Sequence, residues 1–426
     1  MLNCSNCDAQ YSRWQGRCTE CAKWGTIADD TGGTSTKSKK GGATAAPLVD
    51  LGKADVAPTA RVSTKIPECD RVLSGGLVAG SVTLLAGEPG VGKSTLVAQL
   101  AASFASDKAC AYYVSGEESQ GQIAMRLKRL ELEPKNIAFS NSVEIDRVIA
   151  TAKKLKPALL IVDSIQTALP QGVDSTPGTP TSVRAATSQL ISYAKASNVP
   201  VIIIGQVTKD GSVAGPKTLE HLVDTVLSLE GDRDSSYRIL RAGKHRFGGT
   251  DEIGFFEMSG KGMTSIDNPS ARFLEERTST PGSVVTCLME GTRPILVEIQ
   301  ALVEKSTFAN PIRRTSGYDA TRLQMLIAII NKRTKHNVGN QDVYVNVVGG
   351  IKIKEHAADL AVCAAIISSV TDKALSKEIA VFGELGLGGE VRSVPYLEKR
   401  VKEADRLGFK RPLSPKNIKQ LSEFSL

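Results

Sequence analysis

The chain contains the stretch Gly87-Glu88-Pro89-Gly90-Val91-Gly92-Lys93-Ser94-Thr95, and the apolar run before it, residues 81–86, has the composition of a buried strand. These residue types form a phosphate-binding loop, because the glycines let backbone N–H groups turn toward phosphates and the lysine reaches the β- and γ-phosphates. Ser94 or Thr95 can hold Mg²⁺, and a helix that begins here directs its positive dipole end at the anion. The loop therefore predicts binding of ATP with Mg²⁺.

Short apolar runs alternate with amphipathic segments on both sides of this loop. Segments 120–131 and 143–155 are two of the amphipathic ones. The apolar runs cover residues 82–86, 109–114, 136–139, 158–162, 201–204 and 225–229. Strands that alternate with helices in this way build a mostly parallel sheet wrapped by helices. The predicted fold class is therefore α/β.

Composition divides the chain into four parts. Residues 29–60 are rich in Gly, Thr, Ser, Lys and Ala, which predicts a flexible linker. The linker follows a cysteine-rich segment, 1–28, and precedes the α/β domain, 61–268. Beyond Asn268 and Pro269 the pattern changes to another block of strands and helices. That change predicts a separate domain over residues 269–426.

Four of the eight cysteines crowd the first segment with the spacing C-x2-C-x10-C-x2-C, and they are Cys4, Cys7, Cys18 and Cys21. Each pair aims two thiolates at one point, and two pairs complete a tetrahedral zinc site. Disulfides are the alternative, but a cytosolic chain disfavours them. Four sulfurs leave no open position for water, so the predicted Zn²⁺ site is structural. The scattered cysteines are expected to be small core residues, and they are Cys69, Cys110, Cys287 and Cys363.

The overall charge is basic, with 53 Lys and Arg against 45 Asp and Glu and a formal net charge of +8. This balance is compatible with a polyanionic partner but does not demonstrate one. No run of about eighteen apolar residues is present, and the N-terminus lacks a charged leader followed by an apolar core. Neither a membrane span nor a secretory signal is indicated, so we expect no membrane association and a cytoplasmic location.

Several polar residues follow the predicted strands and are candidates for the nucleotide site. Asp163 ends the run Leu159–Asp163, where an acidic group can bind the Mg²⁺ shell. Glu117 and Glu118 lie just past another strand, at the edge where open α/β sheets bind ligands, and one of them can polarise the attacking water. Gln206 ends a further strand and is a candidate sensor of the γ-phosphate that passes the signal to residues 207–217.

The cysteine pairs, the phosphate-binding loop and the string Lys244-His245-Arg246-Phe247-Gly248 together resemble the bacterial RadA (Sms) family of recombination and repair proteins. That family has Asn where this chain has His245. The change leaves both cations in place, so it affects a hydrogen bond and not the charge of the motif. The resemblance implies a RecA-like ATPase core in which Lys244 and Arg246 act on the nucleotide from a neighbouring subunit. It also favours Glu117 over Glu118 as the catalytic glutamate, although the sequence alone does not separate the two.

Residues 347–360 and 383–392 resemble the proteolytic domain of Lon, which uses a Ser nucleophile activated by a Lys. Ala357 falls where Lon has its Ser, and Arg400 falls near its Lys. Alanine has no nucleophile and arginine stays protonated, so we expect no peptidase activity. Five basic residues of this domain are candidate phosphate contacts, and they are Lys352, Lys354, Lys399, Arg400 and Lys402.

The combined prediction is a RecA-like P-loop ATPase core with an N-terminal four-Cys zinc finger and a C-terminal Lon-protease-like α+β domain. The leading hypothesis is a DNA-dependent ATPase of recombinational repair, acting on single-stranded and branched DNA as a homo-hexameric ring. Residues 164–184 and 207–217 are candidate DNA-facing loops. The resemblance implies contact with the RecA recombinase. Two alternatives are an ATP-regulated scaffold that recruits RecA without motor activity, and an ATP-dependent peptidase or unfoldase.

Overall fold

The computed structural model describes residues 2–4, 10–11, 13–29, 60–133, 135–172, 176–206, 219–231, 235–307 and 310–425. The chain divides into two compact units, Met1–Val56 and Ala57–Leu426. The described part of the first unit has three antiparallel strands, β1 (Leu2–Cys4), β2 (Gln10–Tyr11) and β3 (Ile27–Asp29), in the order β2-β1-β3. The buried side chains of Cys4 and Cys18 pack at the centre of this small unit.

Within its described residues, the second unit is built on a nine-stranded sheet. A short pair, β4 (Arg61–Val62) and β5 (Leu77–Val78), precedes this sheet along the chain. The sheet strands are β6 (Val82–Gly87), β7 (Ala111–Ser115), β8 (Ile137–Ser140), β9 (Leu159–Asp163), β10 (Val201–Gln206), β11 (Thr225–Glu230), β12 (Tyr237–His245), β13 (Ile253–Ser259) and β14 (Gly262–Ser265). Their spatial order is β14-β13-β12-β11-β6-β10-β9-β7-β8. All six apolar runs predicted from the sequence are strands, and they form the parallel part of the sheet.

Helices cover both faces of this parallel part. They are α1 (Pro67–Val72), α2 (Lys93–Phe104), α3 (Gln120–Arg129), α4 (Ile145–Leu155) and α5 (Pro180–Ser197). The first three bury apolar side chains in one core, and the last two bury theirs in a second core on the opposite face. A sheet covered on both sides needs strands that are apolar throughout, which is why β9 is buried along its whole length. The α/β prediction is confirmed.

A second sheet of four strands follows in the C-terminal part. Its strands are β15 (Ser283–Glu290), β16 (Arg293–Lys305), β17 (Arg313–Ser316) and β18 (Gln341–Val347), in the order β15-β16-β18-β17. A small pair, β19 (Glu384–Leu385) and β20 (Val391–Arg392), lies apart from it. The helices are α6 (Pro269–Leu274), α7 (Ala320–Arg333), α8 (Asp359–Thr371) and α9 (Leu397–Arg406). Short 3₁₀ turns occur at Ile165–Thr167, Val348–Gly350, His356–Ala358 and Leu421–Glu423.

Helix α8 is the centre of the C-terminal core. Ten of its residues, including Asp359 and Cys363, are buried, and it packs against strands β15 and β16 of the four-stranded sheet. The burial of Cys69, Cys287 and Cys363 agrees with their predicted role as small core residues, whereas Cys110 is only half-buried. Among the described helices, none combines the length and the apolar character needed to cross a bilayer.

A buried ion pair joins the two sheets of the second unit. The carboxylate of Glu68 on α1 accepts hydrogen bonds from Phe255 N at 2.8 Å and from Arg293 Nη1 at 2.6 Å. Arg293 begins β16, so this contact docks the β15–β16 hairpin on the larger sheet. Gly291 at the hairpin tip has φ +61°, and a Cβ there would lie 1.8 Å from Asp251 O. Only glycine therefore allows the hairpin to approach this closely.

Candidate functional site

The phosphate-binding loop joins the end of β6 to the start of α2. Gly90 and Gly92 have φ +81° and +111°, a region that other residues rarely adopt. A Cβ on Gly87 would lie 2.6 Å from Leu229 O, and one on Gly92 would lie 2.4 Å from the methyl groups of two methionines. These contacts show why the turn requires glycines, and the strand, loop and helix follow one another as the sequence predicts.

Lys93 begins α2, and its side chain is held against the loop. Its Nζ donates hydrogen bonds to Gly87 O at 2.9 Å and to Glu88 O at 3.0 Å. Burial lowers the pKa of the Lys93 ammonium, and the nearby carboxylates of Asp163 and Glu117 oppose that shift. The ammonium therefore lies between the backbone of the loop and the acidic groups at the strand ends.

Asp163 stands at the end of β9 with only 4% of its surface exposed. Its Oδ2 accepts a hydrogen bond from the Tyr113 hydroxyl at 2.9 Å, and the carboxylate also accepts one from Ser94. Burial raises the pKa of this carboxyl, and the hydrogen bonds from Tyr113 and Ser94 act against the shift. Hydroxyl and carboxylate oxygens are the ligands that Mg²⁺ takes beside nucleotide phosphates. Ser94 and Asp163 fit such an ion.

Four strand ends meet at this edge of the sheet. Strand pairing sets Gly87 opposite Gln206 and sets Ser115 opposite Asp163. Because β10 lies between β6 and β9, Gln206 sits between the loop and the acidic groups. Open α/β sheets bind ligands at this carboxyl edge. The structure therefore brings the sequence-predicted nucleotide residues together along one edge.

The two adjacent glutamates have different partners. Glu117 Oε1 accepts a hydrogen bond from Ser164 Oγ at 2.5 Å, and its two oxygens lie 3.1 and 3.3 Å from Gln206 Nε2. Glu118 instead forms an ion pair in which both terminal nitrogens of Arg126 reach its carboxylate oxygens. Glu117 thus faces the nucleotide edge, whereas Glu118 is engaged with α3.

Lys244 and Arg246 lie at the opposite edge of the sheet from the loop of their own chain. Strand pairing sets Thr225 opposite both Thr83 and His245, while Leu229 is opposite Gly87. The four steps along the strand from Thr83 to Gly87 span about 13 Å at roughly 3.3 Å per residue. The structure does not bring these cations to the loop that the same chain provides.

Both cations instead contact the segment before β11. Lys244 Nζ donates to Glu220 O at 2.6 Å and to Val223 O at 2.8 Å. Arg246 Nη1 lies 3.3 Å from an oxygen of Asp224, and nearly half of the arginine side chain, 49%, is exposed. Burial lowers the pKa of Lys244, and the neighbouring Arg246 adds to the effect. Because the Arg246 guanidinium is exposed, it can contact another molecule, whereas the Lys244 ammonium is bonded to the backbone.

His245, which replaces the usual Asn, is buried between these two cations. Its Nδ1 lies 3.0 Å from Thr225 Oγ1, and its ring meets the edge of Phe247 at a centroid distance of 6.3 Å. Burial lowers the pKa of the imidazole, with Arg61 acting in the same direction. The ring therefore has a packing role, and the charge of the motif stays on its neighbours.

Three of the four predicted zinc ligands converge in the first unit. The sulfurs of Cys4, Cys18 and Cys21 lie within 4.8 Å of one another, and those of Cys4 and Cys21 are 3.7 Å apart. Zn–S bonds of about 2.3 Å in a tetrahedron place sulfurs about 3.8 Å apart, whereas a disulfide requires about 2.05 Å. The arrangement fits zinc and not a disulfide. Cys7, the fourth predicted ligand, lies outside the described residues.

We expect Cys4→Ser to lower the zinc content of the purified chain and to leave basal ATP hydrolysis nearly unchanged. The reason is that thiolates are the zinc ligands and a linker is predicted between this unit and the ATPase core. Metal analysis and a hydrolysis assay on the same preparation measure both effects. Cys110→Ser is the matched control, because Cys110 is not part of the cluster. Unchanged zinc content, or complete loss of hydrolysis, would contradict this prediction.

Comparison with known proteins places these features in a family. Residues 50–212 match a family described as an AAA domain, and residues 320–418 match one described as subunit ChlI of Mg-chelatase. The chain is 43% identical over 416 residues to DNA repair protein RadA of Aquifex aeolicus, which covers 97% of this chain and 93% of the relative. It is 44% identical over 419 residues to that of Pseudomonas aeruginosa, covering 97% and 92%. The chain belongs to the RadA family of DNA repair proteins.

One further relative and one solved structure were compared with the chain. The RadA protein of Escherichia coli is 42% identical over 421 residues and covers 97% of this chain and 91% of its own length. A solved structure of the RadB recombinase is 23% identical, with a TM-score of 0.38, and covers 48% of this chain and 99% of its own. The predicted membership of the RadA family is confirmed, as is the predicted RecA-like core with a Lon-like C-terminal domain.

In this RadA family member, the position near Lon's lysine holds a buried arginine. Arg400 has no exposed surface, and its guanidinium donates to both carboxylate oxygens of Glu355, at 2.8 and 2.6 Å. It also donates to Pro395 O at 3.0 Å and to Cys287 O. The prediction that Arg400 contacts DNA phosphate is wrong, because the Arg400 side chain is fully buried in the core. The other four basic candidates, Lys352, Lys354, Lys399 and Lys402, are exposed.

The two candidate DNA-facing loops of this RadA chain are described only in part. Residues 207–217 lie outside the described residues, as do residues 173–175 of the other loop. The described part of that loop contains the 3₁₀ turn Ile165–Thr167 and the start of α5 at Pro180.

Sequence reasoning missed Tyr113, Ser164 and Arg126, each of which contacts a predicted site residue. Ser164 is adjacent to Asp163, and its position at a strand end was a usable signal. Tyr113 lies inside an apolar run and carries no such signal. Arg126 is one of several cations on α3, so its pairing with Glu118 depends on how the helix packs.

Proposed function

We propose that this chain is an ATP hydrolase of recombinational DNA repair that binds single-stranded and branched DNA and drives branch migration or strand-exchange extension. The observation that carries the proposal is the convergence of Lys93, Ser94, Asp163, Glu117 and Gln206 at one edge of the sheet. The relatives named as DNA repair proteins support the repair role. A cytoplasmic location is part of the proposal.

The loop and its lysine perform the first part of the chemistry. Backbone N–H groups of residues 87–95 surround the phosphates of ATP, and Lys93 exchanges its loop carbonyls for β- and γ-phosphate oxygens. Ser94 and Asp163 would hold Mg²⁺, and the bound ion would supply positive charge to offset the charge that develops on the phosphates. The loop and Lys93 hold the γ-phosphate at the strand ends.

Glu117 is the residue that orients and deprotonates the attacking water. Its carboxylate lies at the nucleotide edge, and hydrogen bonds from Ser164 and Gln206 hold it in a fixed orientation. Glu118 is less suitable, because its charge is already neutralised by Arg126. Gln206 contacts Glu117 and directly precedes residues 207–217, so it links the state of the γ-phosphate to that loop.

Lys244 and Arg246 complete the site of a neighbouring subunit. They lie at the far edge of their own sheet, so a second copy of the chain must present them to the nucleotide. A cation delivered only when subunits are apposed couples hydrolysis to assembly and stabilises the charge of the transition state. This head-to-tail contact closes into a ring, for which we propose six subunits.

DNA binding in this proposal is electrostatic and independent of sequence. The net charge of +8 and the exposed lysines of the C-terminal domain supply contacts to the phosphate backbone. Residues 164–184 and 207–217 are the proposed DNA-facing loops. The RecA recombinase is a proposed protein partner on family resemblance alone. A peptidase role has no support, since Ala357 offers no nucleophile.

The proposal is tested by measuring ATP hydrolysis with and without single-stranded DNA across a salt series. We expect DNA to stimulate the wild-type chain, and the stimulation to disappear at high salt because backbone binding releases counterions. Lys93→Ala should abolish hydrolysis under all conditions. Lys108→Ala, which changes an exposed lysine in the turn after α2, is the matched control and should behave as wild type.

Hydrolysis that is present but indifferent to DNA would overturn the motor proposal. In that case the chain would be an ATP-regulated scaffold that recruits RecA, which a pull-down of RecA in the presence and absence of ATP would then measure. Absence of hydrolysis in the wild-type chain would overturn the assignment as an ATP hydrolase.

A further inference from the structure

Arg277 has an unusual environment in the segment between α6 and β15. Its Nε is buried and has no hydrogen-bond partner. The guanidinium lies over the ring of Phe409, with 5.6 Å between its central carbon and the ring centroid. Within the part of the chain that the structure describes, this guanidinium makes no hydrogen bond or ion pair. The buried Nε–H group of this half-buried side chain is therefore left without an acceptor.

Such an arrangement is unfavourable without a ligand. A buried donor that lacks an acceptor destabilises the folded chain, and the effect is larger when the group is charged. Burial lowers the pKa of Arg277, and the carboxylate of Glu298 opposes that shift only from a distance. Glu298 is itself engaged with Ser283 Oγ at 2.5 Å and with Gln300 Nε2 at 3.2 Å. None of the residues that the structure describes therefore supplies an acceptor that matches the arginine.

Arg277 lines a pocket of about 280 Å³ whose walls come from α6 and from the segments that follow α6, α8 and α9. Lys377 and Ser279 also line this pocket, and they add an exposed ammonium and a hydroxyl. Leu274, Leu407 and Phe409 form an apolar wall. The pocket thus combines two positive charges and a hydroxyl donor with a surface suited to an uncharged group.

We propose that this pocket binds a phosphate group, carried either by a small molecule or by a nucleic-acid backbone. The guanidinium fork of Arg277 matches two phosphate oxygens, and its weak hydration favours use in a partly buried site. Two cations and a hydroxyl match the several oxygens of a phosphate group better than they match the two oxygens of one carboxylate. No residue of the loop 87–95 lines the pocket, so it is distinct from the nucleotide site.

The test is calorimetric titration of the full chain with two probes. Inorganic phosphate represents the small-molecule source, and an oligothymidine without terminal phosphates represents the backbone source. Both titrations use the Lys93→Ala background, which weakens phosphate binding at the nucleotide loop. Arg277→Gln should weaken binding of at least one probe about tenfold or more, which corresponds to at least about 1.4 kcal/mol. Arg272→Gln is the control, because Arg272 on α6 is already paired with Glu257 and Glu275.

The probe whose binding weakens in Arg277→Gln identifies the source of the phosphate group. Weaker binding of inorganic phosphate assigns the site to small molecules, and weaker binding of the oligothymidine alone assigns it to the backbone. A purely structural role for Arg277 predicts a lower melting temperature for Arg277→Gln and no change in either titration. Identical isotherms with and without the substitution, for both probes, would overturn the proposal.

Discussion

Glu117→Gln is expected to lower the rate of ATP hydrolysis by roughly 10²–10⁴-fold, because the amide cannot accept a proton from the attacking water. ATP binding should change little, since Lys93 and the backbone of the loop hold the phosphates. The amide keeps the size of the side chain and can still bond Ser164 and Gln206. Steady-state hydrolysis and equilibrium binding of a fluorescent ATP analogue measure the two quantities separately.

Glu118→Gln is the matched control for this experiment. It removes a carboxylate of the same size one residue away, but that carboxylate is paired with Arg126 on α3. We expect hydrolysis to remain close to the wild-type rate. A large loss of hydrolysis in Glu118→Gln with a small loss in Glu117→Gln would reverse the assignment of the two residues.

Arg400→Met is expected to destabilise the chain by about 3–5 kcal/mol, because it leaves one partner of a buried ion pair without the other. The loss in free energy of unfolding should fall toward the lower end of this range, because the Glu355 side chain is 28% exposed. The carbonyl oxygens of Cys287 and Pro395 also lose a donor. Urea unfolding, followed by circular dichroism, measures the change in the free energy of unfolding of the C-terminal transition.

A second substitution isolates the pair itself. The double variant Arg400→Met with Glu355→Gln should be less destabilised than the sum of the two single variants, because the unpaired charge is gone. Arg392→Met is the control, since its pair with Glu390 is on the surface and is worth about 1 kcal/mol or less. If Arg400→Met lowers the free energy of unfolding no more than Arg392→Met does, a structural role for Arg400 is contradicted.

The sequence predicts best where the structure depends on neighbours along the chain. The phosphate-binding loop needs only a strand, a run of glycines and a helix, and all three are local signals. The six parallel strands were likewise found from their apolar runs. Cysteine spacing likewise predicts the cluster formed by the sulfurs of Cys4, Cys18 and Cys21, because the spacing is a local signal.

Contacts between distant segments were not predictable. The ion pair of Arg400 with Glu355 joins α9 to the segment before α8, and the pair of Glu68 with Arg293 joins two sheets. Each pairing depends on how elements pack, and the charged residues involved resemble ordinary surface residues in the sequence. This is why Arg400 was expected at a DNA surface and is instead in the core. The pairing of Glu118 with Arg126 is not predictable from the sequence for the same reason.

The far-edge position of the Lys244–Arg246 motif gives the proposal its central claim, that each ATP site is shared by two subunits. The most direct test mixes Glu117→Gln and Arg246→Ala subunits, each inactive alone. In a shared site, the Arg246→Ala subunit supplies Glu117 and the Glu117→Gln subunit supplies Arg246. Random assembly of equal amounts should therefore restore about one quarter of the wild-type hydrolysis rate. If the mixture stays as inactive as its components, each chain completes its own site and the claim is contradicted.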